Sequence, residues 1–189
     1  SIHNAAGSIA MGSGKVFICA GVESMTRVPM LGFNPMPHPE LLEQNPNVYL
    51  SMGVTAENVA SKYNIDRTQQ QEFAISSHEK ANNADKNGKF EDEITIIKDK
   101  KVDVMKDGGI RPGTNQEVLS GLKLAFDNNG TVTAGTSSPL TDGAAATLIC
   151  EEEYAKSNNL EILARIKSTA VNGCEPEVMG LGPIGASKK

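Results

Sequence analysis

The stretch from Gly130 to Cys150 constrains this chain most, because it packs four local signals into one short run. Thr131-Val132-Thr133 is β-branched and follows the turn former Asn128-Asn129-Gly130, which predicts a strand. Ser138-Pro139 predicts a helix start, with a hydroxyl at the cap and proline at the first helical position. Asp142 in that first turn suits the helix dipole. Gly143 and three alanines follow, small enough for another backbone or a thin ligand to come close. Thr147 to Cys150 then reads as a second, apolar strand. A hydroxyl pair at this turn either serves a ligand or caps a packed helix, and the residues alone leave both open.

The flanking segments read as α/β. Ile2, Ala5, Ala6, Ile9 and Ala10 recur at helical spacing, and the pattern stops at Gly12-Ser13-Gly14. Val16 to Ala20 is a continuous apolar run, the signature of a strand covered on both faces, and Gly21 would feed a loop at its carboxyl end. From Arg27 to Tyr49, five prolines predict a long irregular segment. Met52 to Tyr63 is expected to be helical with Thr55 as its cap. Asp66 and Gln69 form a capping box for a longer helix, with Phe73, Ala74, Ser77, Ala81 and Ala84 on its buried face and Asn87-Gly88 at its end. Glu93 to Ile97 and Val102 to Val104 read as short strands joined by a Lys/Asp turn. Thr114 and Glu117 form a second capping box, opening a helix through Val118, Leu119 and Leu122. Glu151 to Asn158 reads as a short helix, Ile162 to Val171 as a strand, and Met179 to Lys189 as a Gly/Pro loop entering a helix.

Composition excludes several function classes. A net charge of −5 argues against broad binding to nucleic acid or anionic membranes, although a local basic spot would still admit an anionic small ligand. Trp is absent, which disfavours base-stacking platforms. Cys19, Cys150 and Cys174 are odd in number and widely spaced, which points to a reducing compartment without a disulfide framework. No apolar run approaches the ~20 residues of a membrane span. Gly12-Ser13-Gly14-Lys15 is no phosphate loop: Ile9 stands where the first glycine is needed, and Val16 follows the lysine where a Mg²⁺-binding hydroxyl is required. Gly180 to Gly185 matches a dinucleotide pattern by letters, yet no strand leads into it. His3, His38 and His78 lack metal-ligand spacing, so no metal site is expected. Cys19 sits in an apolar strand and reads as structural, as does Cys150. Cys174, after Gly173, has the only nucleophile-like surroundings of the three. Arg111 and Lys123 form either a phosphate site or an ordinary solvated pair.

Five stretches resemble thiolases, in family order. They are Ala20-Gly21-Val22-Glu23-Ser24-Met25-Thr26, Met52-Gly53-Val54-Thr55-Ala56-Glu57-Asn58-Val59-Ala60, Gly130 to Ser138, Asp142-Gly143-Ala144-Ala145-Ala146 and Met179-Gly180-Leu181-Gly182-Pro183. The Thr-Ser-Ser-Pro-Leu-Thr-Asp version looks more like the degradative 3-ketoacyl-CoA thiolases of fatty-acid β-oxidation. So does Ser51 before Met52, where acetoacetyl-specific members usually carry His.

The resemblance implies thiolysis of a 3-ketoacyl-CoA by CoA, giving acetyl-CoA and a shortened acyl-CoA, by ping-pong catalysis on a cysteine with a histidine base and a second cysteine. It implies an α/β fold, a layered αβαβα core with an inserted α+β loop domain. Residues 1–26 and 136–158 would belong to the first core half, 27–135 to the loop domain, and 159–189 to the start of the second core half. It implies no cofactor, CoA and acyl-CoA being substrates. Arg111 would contact the nucleotide end, Phe126 and Ala134 would wall the pantetheine, Ser138 would meet its amide, and Met52 would line the acyl pocket. Asp142 to Ala146 would pack behind that wall. A homodimer, a homotetramer or a subunit of a β-oxidation complex is implied, in bacterial cytoplasm or an organellar matrix.

Departures from the family matter as much. Its nucleophile motif (Cys-Ser-Ser-Gly), Asn-Glu-Ala-Phe, Gly-His-Pro and Cys-x-Gly-x-Gly do not occur in the 189 residues, and Leu124 stands where Pro is common. The chain therefore reads as the middle of a longer enzyme, with cut termini and no catalytic residue of its own. The alternative is a non-catalytic CoA-binding or oligomerisation module with the same fold.

Overall fold

The structure, a computed structural model, describes residues 1–100 and 102–189. In chain order its elements are α1 (Ile2–Ala10), β1 (Val16–Glu23), α2 (Pro39–Gln44), α3 (Met52–Tyr63), α4 (Arg67–Lys86), α5 (Gln116–Ser120), β2 (Gly143–Cys150), α6 (Glu152–Ser157) and α7 (Gly182–Lys188). Short 3₁₀ turns cover Pro46–Tyr49, Ala134–Thr136 and Pro176–Leu181. The described residues divide into two compact units, one of residues 1–37, 140–173 and 182–189, the other of residues 38–139 and 174–181.

The first unit is built on one antiparallel ladder. β1 pairs with β2 from Val16 opposite Cys150 to Glu23 opposite Gly143. α1 packs on both strands with Ala5 buried, and Cys19 is the buried residue of β1. This pairing corrects the reading of Gly143 to Ala146, which predicts a helix that packs behind a ligand wall. Alanine has high helix propensity, but here the segment takes its hydrogen bonds from Ala20 to Glu23 across the ladder, and tertiary pairing overrides local preference. Gly21 likewise lies inside β1, opposite Ala145, and does not end it. Nor is β1 covered on both faces: Ile18 is 78% exposed among the described residues. α6 keeps its expected place. Ile162 to Val171 forms no strand: no ladder pairs it with either described strand.

Asp142 has a different job from the one its position predicts. Its carboxylate accepts hydrogen bonds from Thr26 N (2.9 Å) and Thr26 Oγ1 (2.6 Å). These bonds tie the residue before β2 to the chain leaving β1. The hydroxyl bond first, then the backbone bond, holds the Asp142 carboxyl below its ordinary range. A group whose folded pKa is depressed stabilises the fold above its unfolded value of about 3.9 and loses that contribution as pH falls through the folded value. Asp142→Asn is therefore expected to flatten the fall in thermal stability below about pH 4, read from melting temperatures across an acid series. Parallel acid profiles for the two proteins would contradict the link.

The second unit is mostly helical, and its helices begin where side chains satisfy free N–H groups. In α4 the capping box is as expected, Gln69 N donating to Asp66 Oδ1 (2.8 Å) and Asp66 N to Gln69 Oε1 (2.9 Å). α3 is capped by Ser51, whose hydroxyl accepts from Val54 N. Thr55, the expected cap, is buried and bonds back to Met52 O (2.9 Å). α5 starts one residue later than expected: Asn115 Oδ1 accepts from Val118 N (3.0 Å), while Thr114 Oγ1 donates to Arg111 O. It also ends at Ser120, leaving Leu122 beyond it. In the proline-rich stretch, Pro39 and Pro46 each open a helical turn, as a residue without a free N–H can. Phe73, expected inside, is 79% exposed, and Ser77 is exposed as well; α4 instead turns Gln71 inward. The expected strands near residue 100 reduce to one bridge, Ile97 with Val104, beside the Lys98–Asp103 ion pair. Lys101, within their joining turn, lies outside the described residues.

Candidate functional site

The residues expected to meet a ligand, Met52, Arg111, Phe126, Ala134 and Ser138, all fall in the second unit. Three of them depend on one hairpin-like turn. Asp127 Oδ1 accepts from Asn129 N (2.9 Å) and Asp127 O from Gly130 N (3.1 Å), which reverses the chain. Leu124 then bridges Thr133, and Ala125 N donates to Val132 O (3.0 Å). The β-branched run thus pairs for only one bridge, not for the length of a strand.

A single carboxylate fastens this turn to α3. Glu57 accepts hydrogen bonds from Thr131 N (2.9 Å to one oxygen, 3.0 Å to the other), from Val132 N (2.8 Å) and from Thr131 Oγ1 (3.0 Å). Gln70 Nε2 of α4 donates to the same hydroxyl at 2.8 Å. Part-buried hydrogen bonds to a charged acceptor are among the stronger ones. Two glycines permit this closeness. A Cβ on Gly130 would lie 2.2 Å from Glu57 Oε1, and one on Gly53 would lie 2.2 Å from the Phe126 ring.

Phe126 therefore rests on the first turn of α3, over Gly53, the residue that follows Met52. It is 47% exposed and Met52 is 52% exposed, so both keep a free apolar side. Past the bridge, Thr133 is completely buried and the chain turns through Ala134–Thr136. Thr136 Oγ1 accepts from Thr133 N (3.1 Å), and Ser137 Oγ donates to Thr133 O (2.8 Å). Ser137 is thereby spent on the turn. Ala134 and Ser138 are exposed. No helix follows Ser138-Pro139, so the helix-cap reading of that hydroxyl fails. Met52, Phe126 and Ala134 thus each expose apolar surface, and Ser138 is exposed beyond the turn. Arg111 is held by another neighbour: its backbone N–H donates to His78 Nδ1 of α4 (3.3 Å), at a small cavity of about 30 Å³.

The comparisons decide the family. Residues 1–153 match the family described as Thiolase, N-terminal domain. The chain belongs to the thiolase family. It is 42% identical over 199 residues to a 3-ketoacyl-CoA thiolase of Bacillus subtilis, covering 98% of this chain and 51% of that protein. It is 46% identical over 198 residues to one from Shewanella loihica, covering 100% and 50%. Among solved structures it resembles the dimeric peroxisomal thiolase of Saccharomyces cerevisiae, with a TM-score of 0.89, 37% identity, and 98% of this chain and 49% of that one covered. The human mitochondrial 3-ketoacyl-CoA thiolase in complex with CoA gives a TM-score of 0.83 at 34% identity, covering 99% and 50%. The chain spans about half the length of the curated relatives it matches.

In this thiolase chain the three cysteines have distinct settings. Cys19 is buried in β1, Cys150 is half-buried at the end of β2, and Cys174 is exposed, its Sγ 3.8 Å from Met179 O. None of them adjoins a histidine in sequence. No described helix is long and apolar enough to cross a membrane.

Sequence reasoning missed Glu57, Gly53, Gln70 and Arg67. Glu57 and Gly53 lie inside a stretch quoted for the family resemblance, and their i, i+4 spacing was the available signal that they share a helix face. Arg67 shows how the next layer is held. Its Nη2 donates to Leu119 O (3.1 Å), Ser120 O (3.0 Å) and Leu122 O (2.6 Å), closing the carboxyl end of α5. Leu119 and Leu122 in turn fill the space against Gly135. Arg67→Ala leaves those carbonyls without their donor and is expected to cost about 2 kcal/mol. Urea unfolding with an unchanged m-value would measure it, and a loss below about 0.5 kcal/mol would deny Arg67 this role.

Proposed function

We propose that these residues hold the CoA arm in a 3-ketoacyl-CoA thiolase, an acyltransferase of fatty-acid β-oxidation. The complete enzyme would cleave 3-ketoacyl-CoA with CoA to acetyl-CoA and a shortened acyl-CoA. The observation that carries the reading is the half-exposed Phe126 ring seated on Gly53 beside Met52, with Ala134 and the Ser138 hydroxyl on the same turn system. Pantetheine is thin and amphipathic, and it wants an apolar slot with one or two polar partners. In this reading Phe126 and Ala134 wall the pantetheine, Ser138 meets its amide, Met52 borders the acyl group and Arg111 faces the phosphates of the nucleotide end. The human relative solved with CoA supports the ligand class.

The role assigned here is holding, not bond making. The family's nucleophile, base and second cysteine motifs are not among the 189 residues. Residues 27–135 would act as the loop domain that carries CoA, and residues 1–26 with 136–158 as part of the first core half. Assembly as a homodimer, as in the yeast relative's description, is favoured over a tetramer or a β-oxidation complex only by that likeness. A reducing compartment, bacterial cytoplasm or organellar matrix, is the proposed setting.

Titration calorimetry tests the site. CoA is expected to bind the chain, and Arg111→Ala to weaken it about tenfold, the loss of ~1.4 kcal/mol from a charged phosphate contact. Unchanged affinity would remove Arg111 from the site. The same 189-residue protein is expected to leave acetoacetyl-CoA intact in the presence of CoA, followed at the enolate absorbance. Turnover that disappears on substituting one of its cysteines would overturn the purely holding role.

A further inference from the structure

Gly53 does something at this site that its small size conceals. A Cβ built there would lie 2.2 Å from Phe126 Cγ and Cδ1 and 2.4 Å from Cε1. Favourable carbon contacts are about 3.5–4.0 Å, so a methyl group cannot share that space with the ring. The clash involves the root of the ring as well as its edge: turning the ring about its own axis leaves Cγ in place, so the whole ring must leave this patch. One turn along the same face of α3, Glu57 ties down Thr131 and Val132 of the hairpin that carries Phe126. The helix thus fixes the hairpin's backbone at one point and leaves a bare patch of its own backbone at the next. The ring occupies that patch.

The geometry points to Gly53 as a positioning residue for the ligand slot: by presenting no side chain, it sets how deep Phe126 sinks and so how much room remains above the ring. This rests on the reading that Phe126 walls the pantetheine arm. With alanine at 53, the ring must ride outward, because α3 is held by its own hydrogen bonds and the hairpin by Glu57. The displaced ring would fill the space that the arm needs. Arg111, held through His78, has no part in this displacement, so the nucleotide end would keep its contact.

Two probes separate the effects in titration calorimetry on the 189-residue chain: CoA, and adenosine 3′,5′-bisphosphate, which lacks the pantetheine arm. Gly53→Ala is expected to weaken CoA about tenfold, or ~1.4 kcal/mol. It should leave the bisphosphate within about twofold, the usual limit for uncoupled sites. In a Phe126→Ala background, Gly53→Ala should add nothing, since the ring it displaces is gone. Phe126→Leu, a slimmer side chain, should restore part of the CoA affinity that Gly53→Ala loses. CoA binding at wild-type strength in Gly53→Ala overturns the inference. So does equal weakening of both probes, which would mark a general loss of structure. So does additivity of Gly53→Ala with Phe126→Ala. If Gly53→Ala does not fold, failure of the Gly53→Ala, Phe126→Leu protein to fold or bind CoA overturns it as well. No CoA binding by the unmutated chain is a different failure, because it removes the proposed ligand itself.

Discussion

The second unit depends on the Glu57 carboxylate. The hairpin through residues 124–133 has a single bridge and two backbone bonds, Ala125 N to Val132 O and Gly130 N to Asp127 O, too little to hold a turn in water. Glu57 supplies what the hairpin lacks: one side chain accepts from two consecutive backbone N–H groups and a hydroxyl. Both parts of the proposed slot follow from that fastening. Phe126 is brought down on α3 before the turn, and Thr133 is buried after it, so that Ala134–Thr136 can fold back over Leu119 and Leu122. Substituting a hydrocarbon for Glu57 would leave those N–H groups without acceptors, and an unmade bond at a part-buried amide costs more than a made one contributes.

The first unit is governed by a different constraint, the register of one ladder. Side chains alternate between faces along a strand, so a slip of one residue would reverse every side chain of β1. Asp142 helps fix that register from outside the ladder, because its two bonds to Thr26 can form only when Glu23 stands opposite Gly143. The alanines of β2 leave Ala20, Gly21 and Val22 of β1 opposite small partners, so the backbone pairing carries more of the stability there than side-chain contact does.

What the sequence made legible was whatever a segment settles with its own neighbours. The capping box of Asp66 and Gln69, the stop of α1 near Gly12 and the short helix after Cys150 were readable because donor and acceptor lie within a turn of each other. The misreadings share one cause, a partner far along the chain. Gly143 to Ala146 reads as helix until Ala20 to Glu23 claims its hydrogen bonds, 120 or more residues away in sequence. Asp142 reads as a helix-dipole residue until Thr26 claims it. Near misses such as Ser51 for Thr55 and Asn115 for Thr114 are of a smaller kind: several hydroxyl and amide side chains lie near a helix start, and only the backbone angles decide which one turns inward.

The proposed site is the extreme case of the same limit. Met52, Phe126 and Ala134 carry no catalytic group, no metal-ligand spacing and no charge pattern, so composition and periodicity had no means of finding them; the family resemblance alone picked them out, and for Ser138 the residues left ligand contact and helix cap both open. The residues that hold them are equally quiet. Gly53 contributes by having no side chain, and Glu57 looks in sequence like any helix-surface carboxylate. Their meaning appears only when the hairpin lies on α3 and the missing Cβ proves to be the space the ring requires. A slot for a thin, flexible arm is made of such absences and backbone contacts. That chemistry belongs to the fold as a whole and cannot be assigned to any one motif, which is why a chain that reads so plainly as a helix former at Met52–Tyr63 says so little, by itself, about what that helix supports.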